Sequence, residues 1–256
     1  MIRLKTPEEI KVLQEGGKRL ASILAELAPQ VRPGVSAAEL DAKALELARA
    51  RGDTPAFLGY RPEGVSRAYP SSLCVSVNEE IVHGLPLPEK IFKEGDIVSL
   101  DMGLTHEGLI TDMAVTVGVG KMSYEAQNVI AATEEALRVG IEAARLGGMT
   151  GDIGYAIETY AREVKLSLAQ ELAGHGVGFA IHEDPFVPNF GKRNTGDVLE
   201  AGLVIAIEPM LTLGSGKVDF DEGDQYTVRT ADGSRSAHFE KTIAITESGV
   251  VDITVV

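Results

Sequence analysis

A chain of 256 residues, 44% apolar and 24% charged, has the balance of a soluble globular protein. Its length suits one large domain or two fused halves around a shared core. A net charge of -14 excludes broad binding to nucleic acid or to an anionic membrane, both of which need basic surface.

The first residues, MIRLKTPEEI, lack the apolar core of a signal peptide, and no run approaches the ~20 apolar residues of a membrane span. With one cysteine, Cys74, and no disulfide framework, a cytoplasmic protein is expected. Thr6-Pro7-Glu8-Glu9 predicts a helix start with a capping box, and Ile10, Leu13, Leu20, Ile23, Leu24 and Leu27 continue it to about Ala28. Pro33-Gly34 breaks the chain. Ser36 and Glu39 form a second box, and a second helix runs through Leu40, Ala44, Leu45 and Leu47 to a stop at Gly52. Residues 53–71 read as loop, with Phe57, Tyr60 and Tyr69 embedded in it. A short strand over 73–77 precedes His83.

IVSLDMGL and LITDMAVTVGVG, joined by THEG, predict a β-hairpin with Asp101 in its first strand and Asp112 in its second. Facing side chains of such a pair lie roughly 5 Å apart. Two carboxylates that close repel unless a cation lies between them, which favours metal binding over two isolated strand aspartates. His106 falls in the turn and is expected to be exposed and idle. Ser123 caps a third helix to about Leu146, Gly147-Gly148 stops it, and a fourth starts at Thr150 or Asp152. The Gly-rich stretch ELAGHGVGFAIHEDP then carries His175 and His182. Strands are expected at about 203–213 and 224–230. Glu208 lies inside the apolar run GLVIAIEPM, where a carboxylate is costly without a cation or a hydrogen-bond network. A last hairpin starts with Glu240 at its head and His238 two residues earlier, a candidate supporting group.

The halves echo each other. Each has a capped helix, a Gly-x-Ser/Thr start of a second helix, and a Gly-led apolar strand ending in an acid, GDIVSLD and GLVIAIE. The expectation is one domain, 1–256, of two related halves, about 6–119 and 123–256, with the site between them. Asp101, Asp112, His175, Glu208 and Glu240 form an oxygen-rich donor set suited to Mn, Fe(II), Co or Mg, and also able to take Zn. Four carboxylates exceed the needs of one ion. Two divalent ions about 3.5–4 Å apart would use them all, and such a pair activates a water for attack on a carbonyl. His83 and His182 are surplus to that set and could position an amide and stabilise an oxyanion.

NEEIVHGLP, SLDMGLTHEGLITDMAVT, GHGVGFAIHEDP, IAIEPM and SAHFEKTI, in that order from Asn78 to Ile243, resemble the type I methionine aminopeptidases. The resemblance implies an α+β pita-bread fold, a duplicated unit whose curved, mostly antiparallel sheet is covered by helices. It implies removal of the initiator methionine from nascent proteins and peptides when the next residue is small. Asp101 would bind one ion, Asp112 and Glu240 both, and His175 and Glu208 the other, with Glu208 also acting as general acid/base. His83 and His182 would lie beside the scissile amide. Phe57, Tyr60, Tyr69, Cys74, Ile181 and Tyr226 fall where the family places its methionine pocket. Nascent peptide N-termini would be the partners of a monomeric chain, with the ribosome as a transient one.

Some positions depart from the pattern. RPEGVSRA between Tyr60 and Tyr69 is longer than the usual link, Tyr226 stands where tryptophan is frequent, and Leu172 precedes Gly-His-Gly where an aromatic or Met is usual. Two other readings stand beside the first. A proline-specific dipeptidase normally has a large domain before the catalytic half, and His83 comes early for that. A non-catalytic peptide-binding module on the same fold would have lost metal ligands, and all five are present.

Overall fold

The computed structural model describes residues 1–62 and 64–255. Both predicted capping boxes form. Thr6 Oγ1 accepts from the Glu9 N–H at 3.2 Å while Glu9 Oε2 accepts from the Thr6 N–H at 2.8 Å, opening α1, Pro7–Leu27. Ser36 and Glu39 repeat the arrangement at the head of α2, Ala37–Ala50. Each box satisfies amides that a helix start otherwise leaves without partners. Ser123 caps α3, Tyr124–Ala143, and α4 is Thr150–Glu163, its Asp152 accepting from the Met149 N–H. Helix α3 ends before Leu146. Gly147 and Gly148 exchange backbone hydrogen bonds with Leu199 instead, which draws the chain out of the helix.

The helices cover a nine-stranded sheet whose spine is the hairpin Ile97–His106 and Leu109–Gly118. Thr54–Pro55 and Cys74–Val77 pair with the first hairpin strand. Beyond the second come Glu240–Thr246, Val204–Ile207, Ala173–Gly176 and Glu183–Pro188, and Gly249–Asp252 folds back on Glu240–Thr246. These pairings are antiparallel. Among the described residues no helix is long and apolar enough to cross a membrane.

Leu20, Leu24 and Leu40 of α1 and α2 pack on Val98, Leu100 and Met102. Val129, Ala136, Ile153 and Ile157 of α3 and α4 pack on Ile205, Ile207 and Ile243. Each fully buried aliphatic side chain contributes roughly 1.5–3 kcal/mol. Gly17 lets α1 lie against the C-terminal segment, since a Cβ there would sit 2.3 Å from the Ile253 carbonyl oxygen.

Several expectations are corrected. The run 203–213 is two strands: Val204–Ile207 in the large sheet and Met210–Thr212 in a small one with Ser236–His238 and Ser167–Leu168. The break is Glu208-Pro209, where proline offers no amide to the ladder. The strand expected from 224 begins at Val228, because Asp224 Oδ1 takes the amides of Tyr226 and Thr227 into a turn. The Gly-rich histidine stretch holds two paired strands. His106 is not an idle turn residue. It ends its strand, buried, with Nδ1 2.7 Å from Asp53 Oδ1, and Arg19 reaches the same aspartate at 3.4 Å.

Candidate metal centre and substrate pocket

Strand parity places the acids. Leu100 and Met102 face the helices, so Asp101 between them faces the other way. Asp101 pairs with Ala114 and Asp112 with Gly103, so the two carboxylates lie diagonally across the hairpin rather than directly opposite. Ala114 also pairs with Glu240, which leaves a small side chain between two acids and Asp112 two residues along on the same face. Lys241 pairs with Ile207, and one further step along that register brings Glu208 level with Glu240. His175 comes from the next strand over.

The side chains converge as the strands do. His175 Nε2 lies 3.4 Å from Glu208 Oε1 and 4.0 Å from Asp112 Oδ2. Donor atoms of Asp112, His175 and Glu240 all lie within 4.8 Å of one another. His175 Nδ1 is 2.9 Å from the Gly176 carbonyl. It donates there, which leaves the Nε2 lone pair aimed at the acids. Asp101 Oδ1 and Glu240 Oε1 are buried without any hydrogen-bond partner. Buried polar atoms are nearly always paired, so two orphaned carboxylate oxygens beside an imidazole lone pair fit a bound cation.

Electrostatics agree with that fit. Burial, then the neighbouring carboxylates, pushes Asp101, Glu208 and Glu240 well above the usual range, and burial raises Asp112 to about 7. Burial lowers His175 and His238 to about 3 and His83 to about 4. Divalent charge among the acids would favour their ionised forms.

Three groups support the cluster, and two of them, Thr242 and Asn189, had no mark in the sequence. Thr242 Oγ1 accepts from the Asp112 N–H at 3.0 Å and donates to the Asp112 carbonyl at 2.7 Å. Asn189 Nδ2 donates to the Glu208 carbonyl at 2.9 Å. Threonine and asparagine are too common for their positions to signal such a role. His238, flagged only as a candidate, has Nε2 3.5 Å from Glu208 Oε2, on the short strand before Glu240.

A cavity of about 200 Å³ opens on this cluster. Phe57, Tyr60, Tyr69, Cys74 and Tyr226 line it with Asp101, Asp112, His175, Glu208 and Glu240, as do His83 and His182. Ile181 packs with Phe57, Tyr69 and Cys74 but does not line the cavity. Gly103 admits this packing, since a Cβ there would lie 2.9 Å from both Ile181 Cδ1 and Phe57 Cε1. Tyr69 meets Phe57 and Tyr226 edge-on, and its hydroxyl donates to the Gly84 carbonyl at 3.1 Å. Cys74 sits opposite Asp101, and burial and that acid push its thiol well up. His83 follows the strand Glu80–Val82 with φ of 58°. The exposed His182 ring lies 4.4 Å from that of His175 and within 2.9 Å of the Tyr60 hydroxyl.

Leu172, noted in the sequence only as a departure from the family pattern, and Pro62, Val65, Phe220, Gln225 and Val228, not singled out there, complete the wall. Pro62 and Val65 belong to the longer link. Ser66 Oγ donates to Gln225 Oε1 at 2.6 Å and the Tyr226 hydroxyl to the Arg67 carbonyl at 2.5 Å, which fastens that link to the far rim.

The pattern of Metallopeptidase family M24 matches residues 11–247. The chain belongs to this family. A methionine aminopeptidase of Aquifex aeolicus is 45% identical over 99% of this chain and 98% of its own length. A crystal structure of methionine aminopeptidase from Thermotoga maritima superposes with a TM-score of 0.94 at 43% identity, covering 99% of both chains. Prolidase from Pyrococcus furiosus shares the fold at a TM-score of 0.77 and 22% identity, with 65% of that chain covered. The fold is therefore the pita-bread fold. The family uses divalent metal ions, and the carboxylate–histidine cluster is the place in this chain that fits them.

Proposed function

We propose that this chain is a methionine aminopeptidase, hydrolysing the bond after an N-terminal methionine in nascent proteins and peptides whose next residue is small. One observation carries the reading: an aromatic, thiol-edged cavity opens directly onto a buried cluster of four carboxylates and a histidine. A flexible thioether side chain suits such a wall, and each buried methylene contributes about 0.8 kcal/mol. The relatives described as methionine aminopeptidases support the same activity.

Asp101, Asp112, His175, Glu208 and Glu240 would hold two divalent ions, Co, Mn, Fe(II) or Zn. When bound, such ions polarise a carbonyl and make a water acidic enough to attack it. The chain's own groups do the rest. Glu208, at the cavity edge between His175 and His238, takes up and returns the water proton. His83 and His182 face the same cavity and hydrogen-bond the scissile amide. Phe57, Tyr60, Tyr69, Cys74 and Tyr226 receive the methionine side chain, with Ile181 backing that wall.

The site lies in a single domain of two related halves, about 6–119 and 123–256. Support comes from the two helix pairs, each with its own apolar cluster on a shared sheet. The chain acts on nascent peptide N-termini as a cytoplasmic monomer, with the ribosome as a transient partner and no nucleic acid or membrane of its own. Its net charge of -14 supports the absence of nucleic-acid and membrane binding.

A substrate series separates this from the dipeptidase reading. Methionine release from Met-Ala-Ser is expected, with Met-Leu-Ser roughly 100-fold slower and Ala-Pro untouched. Cleavage of Ala-Pro with Met-Ala-Ser left intact would replace the aminopeptidase with a proline dipeptidase.

A further inference from the structure

The segment that carries His182, between the strands Ala173–Gly176 and Glu183–Pro188, is irregular. Its backbone has few anchors of its own: Val177 donates to Val204, and Gly178 accepts from the Ile110 N–H at 2.7 Å. His182 is an exposed residue at the cavity mouth; its ring meets the Tyr60 hydroxyl and the His175 ring on one side, and its backbone depends on what anchors the segment. The residue after it, Glu183, makes two hydrogen bonds. Oε1 accepts from the Ala180 N–H at 2.7 Å, closing the segment on itself, and Oε2 accepts from Lys5 Nζ at 2.6 Å.

Lys5 comes from the far end of the chain. Its side chain is 1% exposed and that of Glu183 is 9% exposed, so both charges are out of water. The Lys5 N–H donates to the Gly202 carbonyl at 2.7 Å, which fixes the lysine to the large sheet's neighbouring loop. Gly178, with φ of 138°, leaves the passage its side chain uses: a Cβ there would lie 2.4 Å from Lys5 Cε. The Arg3 guanidinium stacks 3.8 Å over the Phe179 ring, and the Met1 ammonium pairs with Asp184. The first five residues thus grip the His182 segment on both sides of the histidine.

We propose that the buried Lys5–Glu183 pair is a positioning device for catalysis, setting where His182 presents its ring to the scissile amide. A buried cation with a long stem suits the role. It can sit only where its one carboxylate partner sits, because either charge left alone in that place is strongly disfavoured. The pair acts through His182: neither residue lines the cavity that takes methionine, and Glu183 lines the adjoining cleft beside His182, His175 and Glu208. This rests on the aminopeptidase reading for what His182 does, but the placement of the ring can be read without activity.

The test uses the full-length chain with Lys5→Met and, separately, Glu183→Gln. Bound metal, kcat and KM for Met-Ala-Ser are measured, and imidazole ¹H–¹⁵N spectra are recorded on the Zn²⁺-loaded protein. Expected for both variants are unchanged metal content, kcat lower by about tenfold or more, KM within about twofold, and a shifted or broadened His182 ring signal. The His175 and His238 signals should stay in place. Unmoved His182 resonances with kcat within twofold of wild type would overturn the proposal. So would activity that falls only in step with lost metal, because that assigns the pair a merely structural role. Where Lys5→Met does not fold, the near-isosteric Glu183→Gln is judged by the same readings. A wild-type chain that releases no methionine would sink the aminopeptidase reading, while the His182 resonances would still decide the positioning claim.

Discussion

The acid cluster and the substrate wall share one cavity but are built in opposite ways. Asp101, Asp112 and Glu240 sit on long or central strands, fixed by ladder register to one face of one sheet. Phe57, Tyr60, Tyr226, His182 and the link residues Pro62 and Val65 sit on loops or at element ends, and a few side-chain hydrogen bonds, Tyr60 to His182, Ser66 to Gln225 and Tyr226 to the Arg67 carbonyl, tie those segments together. The cluster is rigid, and two of its carboxylate oxygens are left without partners. The wall is mostly satisfied, and its shape depends on which loops meet. A sheet thus provides the fixed geometry a metal needs, while loops provide a surface that can be retuned for the substrate.

The sharpest break of this contrast removes a group belonging to both regions. Glu208→Ala is expected to lower turnover at least ~10³-fold, because one change takes away a metal-holding oxygen and the proton carrier. Near wild-type release of methionine would refute that double role. Asp112→Asn, inside the cluster, should lower bound metal as well as activity, read by metal analysis of the purified chain. His83→Ala belongs to the wall and should keep metal while kcat falls roughly 10²-fold. Metal lost in that variant would move His83 into the cluster.

A smaller effect concerns the metal-free chain. Folded-state pKa values of Asp101, Asp112, Glu208 and Glu240 are raised, so the folded chain binds more protons than the unfolded one, and stability falls as pH rises through them. The buried histidines act oppositely, but only below their ordinary value of 6.5. Between pH 6.5 and 8 the acids dominate, with Asp112 titrating near 7. Thermal unfolding in chelator should therefore shift to lower temperature across that window, and added Mn²⁺ should reverse the shift. A midpoint that rises with pH would contradict it. The smallest expected effect is Tyr226→Phe, which loses the hydrogen bond to Arg67 and should raise KM for Met-Ala-Ser by about fivefold or less.

The same contrast explains what could be read in advance. Capping boxes at Thr6 and Ser36 and the hairpin around Asp101 and Asp112 are local patterns, so they were legible, and carboxylates inside apolar strands stand out because burial makes them costly. The diagonal offset of Asp101 and Asp112 depends on register that the turn alone did not fix. His106 looked like a turn residue because its partner, Asp53, is distant in sequence. The break at Pro209 splits an apolar run that reads as continuous. Phe57, Tyr60, Tyr69, Cys74 and Tyr226 reached the pocket through family resemblance rather than any spacing rule. Pro62, Val65 and Phe220 were missed because nothing in a loop's sequence announces which other loop it will meet.

The central claim is that the buried carboxylates take metal in order to cleave after methionine. The direct test titrates the metal-free chain with Mn²⁺ under anaerobic conditions and follows bound metal and methionine release from Met-Ala-Ser together. Release that rises with bound metal and disappears with chelator is the expected result. A chain that fills with metal and still leaves Met-Ala-Ser intact would contradict the account.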